Sequence, residues 1–170
     1  MALIGYTNKL VSDIKSLFLQ DEIMCKLLYY NNEDGDILEL PPVKNPVKEL
    51  KDKIFLNRRL EALQKDADVG MTINLYSKQN WRREGKKSDT SLKNIVEIGI
   101  VVHNDCDDTL NGSRMNALIE LTIKKLLYSN IDGLGDFHFE NMFMMKDLSI
   151  EYTGYLLYFN IFNLSEEGLC

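Results

Sequence analysis

The chain has 170 residues, 45% of them hydrophobic and 27% charged, the make-up of an ordinary globular domain long enough to bury a core without covalent staples. A net charge of −6 argues against a general nucleic-acid binder, which carries a basic footprint. Cys25, Cys106 and Cys170 lie far apart with no CxxC pair; neither a zinc ribbon nor a disulfide framework is indicated, and free thiols suit a reducing cytoplasm.

The N-terminal stretch "MALIGYTNKLVSDIK" has no basic start followed by a long apolar run, and no segment approaches the roughly 18 apolar residues of a membrane span. A soluble, cytoplasmic product is expected. Leu3, Tyr6, Leu10, Ile14, Leu17 and Phe18, then Ile23, Met24, Leu27 and Leu28, recur at helical spacing, with Asp21 placed to cap a second helix or to sit within one bent helix. "NNEDGD" at 31–36 is a polar turn, and "ELPPVKNP" contains all three prolines, so this region is irregular. Asn45 and Pro46 form a cap and first position for a short helix, "PVKELKDKI". Residues 55–69 carry no clear pattern.

Two β-strands follow. "MTINLYS" alternates Met71, Ile73 and Leu75 with Thr72, Asn74 and Tyr76, and "NIVEIGIVVH" puts Val96, Ile98, Ile100 and Val102 on one face, which predicts a long antiparallel hairpin. Its tip, Ser77 to Lys93, holds Lys78, Arg82, Arg83, Lys86, Lys87 and Lys93 against Glu84 and Asp89, a local balance of +4 that leaves −10 for the remainder. So long a tip is functional or unstructured more often than not, and the asymmetry makes it a candidate electrostatic contact. Trp81 in its middle favours contact, because tryptophan is enriched at interface hot spots; the plain alternative is a solvated excursion with no role.

"VVHNDCDDTLNGSR" sets His103 beside Asp105, Asp107 and Asp108. A metal would need several of these ligands to converge, but the calcium-loop spacing is absent. Asx residues serve so readily as turn and cap formers that a strand-to-helix joint, its carboxylates at a positive helix start, is the preferred reading. Cys106 is read as a passive thiol, since neighbouring aspartates raise its pKa. The sharpest enzymatic alternative is a metal-dependent nuclease, with Asp105, Asp107 or Glu97 on magnesium and the basic loop on phosphates, although the required active lysine is not evident; a nucleic-acid-binding regulator is a further alternative.

"SRMNALIELTIKKLLYS" is an amphipathic helix, with Lys124 and Lys125 at its favourable C-terminal end. "GLG" at 133–135 follows a helix and is a stop, not a phosphate loop. "DFHFENMFMM", with a structural His138, and "SIEYTGYLLYFNIFNL" close the chain as strands. Both phases of the last are apolar, so it is either covered on both sides or meets another subunit. The fold class is therefore α+β: a mainly antiparallel sheet with a long hairpin, packed by an N-terminal helix and a central amphipathic helix, in a single domain spanning 1–170 (helical and irregular over 1–68, sheet and helix core over 69–164).

From about Val69 to Leu164 the chain resembles the tail-terminator family of tailed bacteriophages. The resemblance rests on "IGIVVHNDCDD", "NGSRMNALIELTIKKLL", "IDGLGDFHF" and "TGYLLYFNIF" in that order. It implies a non-enzymatic virion protein without cofactor or metal, assembled in the host cytoplasm. Such a protein forms a homohexameric ring that caps the tail tube and joins tail to head; its partners are the tail-tube protein, the neck or head-completion proteins and the sheath, with DNA only in passage. On that reading Trp81, Arg82, Arg83, Lys86 and Lys87 contact the partner, while Asp105, Asp107, Asp108, Arg114 and Tyr155 serve the subunit interface, with Arg114 and Tyr155 open to a core-packing role instead. The alternative within the same assembly is a head-completion or neck adaptor protein.

Overall fold

The computed structural model describes residues 2–30, 35–56, 68–78, 93–129 and 136–162. Helix α1 (Ala2–Leu19) and helix α2 (Glu22–Tyr29) are separate, because Asp21 accepts the Met24 N–H at 2.8 Å and starts a new helix. The side chain thereby satisfies a donor that a helix start would otherwise orphan. Leu10, Val11, Ile14 and Phe18 of α1 are buried, as are Met24, Cys25, Leu27 and Leu28 of α2.

The prolyl start behaves as its sequence implies, but the helix is shorter than expected. Asn45 caps α3 (Pro46–Glu49), accepting from Lys48 N at 3.3 Å, and the helix ends after one turn. Ile54, read as the helix end, instead opens strand β1 (Ile54–Leu56), which pairs in parallel with β2 (Val69–Lys78) through Ile54↔Met71. A distant partner overrides local propensity here. Lys15 Nζ donates to the Ile54 carbonyl at 2.8 Å and ties α1 to this edge.

Strand β2 and strand β3 (Lys93–His103) form the long antiparallel hairpin, in continuous register from Val69↔Val102 to Lys78↔Lys93. The last strands, β6 (Asp136–Met144) and β7 (Tyr152–Phe162), complete a sheet of order β1-β2-β3-β7-β6, antiparallel except at β1. Between β3 and β6 in sequence come a helical turn, α4 (Asn104–Asp107), a small hairpin of β4 (Asp108–Thr109) and β5 (Gly112–Ser113), and helix α5 (Arg114–Leu127). The architecture is the expected α+β class.

Helices α1 and α5 lie against β2 and β3 on one face of the sheet. Cross-strand rows such as Ile73, Ile98 and Leu157, or Val96 and Phe159, are fully buried beneath them. Each such aliphatic side chain contributes about 1.5–3 kcal/mol when buried. Strand β7 is an interior strand, flanked by β3 and β6, and its two apolar phases fall on opposite faces of the sheet. Leu157, Phe159 and Ile161 enter the core, whereas Leu156 and Tyr158 are half-buried on the other face. No helix among the described residues is long and apolar enough to cross a membrane.

Candidate functional site

Two groups of polar residues stand on the same strand, β3. At its C-terminal end the chain must leave the sheet, turn, and enter α5, and the side chains of "HNDCDDTLNGSR" build that joint. His103 Nδ1 accepts the Asp105 N–H at 3.2 Å and starts α4, while its ring meets Tyr152 edge-on at 4.9 Å. Asn104 donates to the Ile150 carbonyl at 2.9 Å and accepts from Thr153 Oγ1 at 3.0 Å, locking the turn to the start of β7. Asp107 Oδ1 accepts the Met115 N–H at 2.7 Å and the Ser113 hydroxyl at 3.1 Å, and Ser113 Oγ accepts the Asn116 N–H at 3.2 Å. A carboxylate at a helix N-terminus is favoured by both the free N–H groups and the dipole. Asn111–Gly112, with Gly112 at φ +108°, closes the small hairpin in the left-handed region that glycine enters readily.

The predicted interface residues therefore divide. Asp105, Asp107, Asp108 and Arg114 do share this joint, but in different roles. The Asp105 side chain is 90% exposed and Asp108 is exposed, whereas Asp107 is half-buried and engaged with α5. Arg114 is 1% exposed. Its Nη1 donates to the Leu27 carbonyl at 3.2 Å and the Tyr30 carbonyl at 2.8 Å, which places it inside the chain as a cap on the end of α2. Burial pulls its pKa down, opposed by Cys106, Asp107 and Asp68, yet a guanidinium remains charged. Tyr155 lies three positions along β7 from Tyr152, half-buried against the core opposite Ile100. Trp81, Arg82, Arg83, Lys86 and Lys87 lie outside the described residues, as does the "GLG" at 133–135. His138, read as structural, is exposed on β6 opposite Asn160.

Among the described residues no three His, Cys, Asp or Glu side chains converge as a metal site requires. Both described thiols have their pKa raised, which disfavours the thiolate. Burial first, then Asp21, pushes Cys25 up to about 11. Burial also raises Cys106, aided by Asp68 and to a lesser degree Asp105, against Arg114 and Lys53. The direction expected for Cys106 holds, but desolvation is its main cause and the adjacent aspartates are secondary.

The second group was not singled out as a unit by its sequence. On the sheet face away from the helices, Glu97 stands opposite Asn74 on β2 and Tyr158 on β7. Its Oε1 accepts Asn74 Nδ2 at 3.0 Å and the Tyr76 hydroxyl at 3.2 Å. Burial, then a hydrogen bond to Glu97, holds the Tyr158 phenol above its ordinary value. Glu97 is 8% exposed. The available signal was the single charged residue in the otherwise apolar "NIVEIGIVVH", in phase with Asn74 and Tyr76 across the hairpin; register, which sequence does not supply, was needed to bring them together.

The family model described as YomW matches residues 21–161, from the cap of α2 to the penultimate residue of β7. No curated protein matches the chain. YomW is a phage-derived family, and its model spans both polar groups and every strand of the large sheet. The chain belongs to the YomW family and is a phage-associated protein.

Proposed function

We propose that the protein is a non-enzymatic virion component, a tail terminator that assembles as a homo-oligomeric ring, caps the tail tube and presents a docking surface to the head. The observation that carries this reading is the separation of charge along β3. The basic sequence Ser77–Lys93 belongs to the end of β3 marked by the Lys78↔Lys93 pair, while exposed Asp105 and Asp108 follow His103 at the other end of the strand. Eleven residues of β3 at about 3.3 Å each set the two ends roughly 35 Å apart. Opposite charges at opposite ends of a subunit favour a heterologous, head-to-tail contact, the kind that generates rings when the rotation closes. The phage-derived family supports the same reading, as does β6, an edge strand with Phe139, Met142, Phe143 and Met144 exposed, since a long apolar edge invites pairing or cover.

The partners on this reading are further copies of the chain, the tail-tube protein and the neck proteins, with the sheath outside and DNA passing through the lumen. A head-completion adaptor would use the same surfaces on the other side of the neck. The test is capture by purified tail-tube protein together with electron microscopy of the captured complex. Rings at tube ends, lost when Arg82, Arg83, Lys86 and Lys87 are replaced by Glu, are the expected result; undiminished capture by that variant rules out the contact assignment, and rings found at the head portal alone favour the adaptor.

A further inference from the structure

We propose that Glu97, framed by Asn74, Tyr76, Tyr158 and Phe143, is a receiving site for an arginine or lysine side chain from the basic segment of a second copy of this chain. The inference rests on the self-assembly reading above for the source of the cation, and on the structure for the site.

A carboxylate that is 8% exposed is costly to keep ionised unless a positive partner or enough donors compensate it. The donors on Glu97 are all neutral: an amide at 3.0 Å and a phenol at 3.2 Å on Oε1, with the Tyr158 phenol as a third. Among the described residues no lysine, arginine or histidine pairs with it. Among the described residues the Glu97 side chain is thus met by neutral dipoles alone.

The surroundings suit a cation. Tyr76 is 50% exposed and Phe143 is 53% exposed, and the Phe143 ring packs edge-on against Tyr158 at 5.8 Å. Aromatic faces beside a carboxylate attract guanidinium and ammonium groups through the ring quadrupole and the charge together, more so where water is partly excluded. Ser77–Lys93, with its balance of +4 in a chain of −6, is the most cationic stretch that a second copy can offer. Charge complementarity between that segment and this carboxylate assigns the occupant.

The probe is a synthetic peptide of residues 77–93, titrated calorimetrically into the full-length protein, with a peptide carrying Glu at positions 82, 83, 86 and 87 as control. Saturable binding of the native peptide, weakened by about tenfold or more in Glu97→Gln and by a smaller factor in Phe143→Ala, is expected, with no binding of the control. Phe143 is exposed, so its variant reports on the site even where Glu97→Gln perturbs the fold. No binding to the wild type, or equal binding to the wild type and both variants, overturns the proposal. Imaging of each variant on tail tubes keeps the two readings apart: peptide binding lost with Glu97→Gln while no wild-type ring is seen supports the site and removes the ring, whereas rings retained alongside undiminished peptide binding in Glu97→Gln remove the site and leave the ring.

Discussion

Asp21 and Lys125 meet at 2.7 Å and join the start of α2 to the last turn of α5, two helices whose packing closes one side of the core. Burial opposes ionisation of Asp21, but hydrogen bonds from Lys125 and from the Met24 and Ile23 N–H groups outweigh it and hold the carboxyl below its ordinary value of 3.8. A carboxyl depressed in the folded state contributes stability above its unfolded pKa and loses it as pH falls through the folded value. Chemical denaturation from pH 6 downward should therefore show a loss that begins near pH 4 and is reduced in Asp21→Asn. At neutral pH, Asp21→Ala should cost about 1–2 kcal/mol, chiefly as a lost cap, and Asp21→Asn less, because asparagine still caps.

Arg114 couples the opposite end of α2 to the start of α5. Its guanidinium serves the carbonyls of Leu27 and Tyr30, acceptors that a helix end leaves without an intrahelical partner. Truncation removes a buried, charge-assisted set of bonds and opens a cavity, so Arg114→Ala should lose about 3 kcal/mol or more. Arg114→Lys should recover little, because one ammonium does not reproduce the planar fork. Melting temperatures of the two variants check this; a wild-type melting temperature in Arg114→Ala would return the residue to the surface role its sequence allowed.

The reach of the sequence follows from which interactions are local. The alternation of Met71, Ile73 and Leu75 with Thr72, Asn74 and Tyr76 was readable because the face of β2 beneath the helices is wholly apolar while the other carries polar groups. Asp21, Asn45 and Ser113 act as caps on the N–H three residues ahead, a range that sequence displays. Arg114 reaches acceptors 84 and 87 residues away, and Ile54 leaves its helical pattern for a strand partner beyond a long connection. Neither distance leaves a local trace. Glu97 shows both cases: its phase on β3 was legible, whereas its convergence with Tyr76 and Tyr158 depended on pairing across three strands.

Gly154 illustrates a requirement that only packing shows. A Cβ there would lie 2.5 Å from Leu148 Cδ1, 2.8 Å from Met145 Sδ and 3.2 Å from the Ile100 carbonyl oxygen. The first two neighbours are side-chain atoms that can give way; the third is backbone of the adjacent strand. Gly154→Ala should destabilise by about 1–3 kcal/mol, the range for overpacking, and adding Leu148→Ala should restore part of that loss. Additive losses in the double variant would show that the Leu148 contact is not the source.

Thiol reactivity tests whether either described cysteine is activated. With Cys25 pushed up to about 11, roughly one molecule in a thousand carries its thiolate at pH 8, and its side chain is buried. A disulfide reagent at pH 8 should leave Cys25 unmodified in the native protein, modify half-buried Cys106 slowly, and reach both in denaturant. Rapid native labelling of Cys106 that persists below pH 7 would show an activated thiol and reopen a nucleophilic role for the joint.

The aspartates of that joint can be tested one at a time, because their surroundings differ. Asp107 holds the Met115 N–H and the Ser113 hydroxyl, so Asp107→Ala should lower stability by about 1–2 kcal/mol and fray the start of α5, visible as faster amide exchange at Met115 and Asn116. Asp105 and Asp108 are exposed, and substitutions at such positions seldom exceed about 0.5 kcal/mol. Asp105→Lys with Asp108→Lys should therefore leave the melting temperature near wild type. Reduced self-association in that double variant is the outcome expected of a head-to-tail contact that uses this turn. Assembly unchanged by the charge reversal would confine the acidity of this turn to helix capping by Asp107 and leave its two exposed neighbours without a partner role.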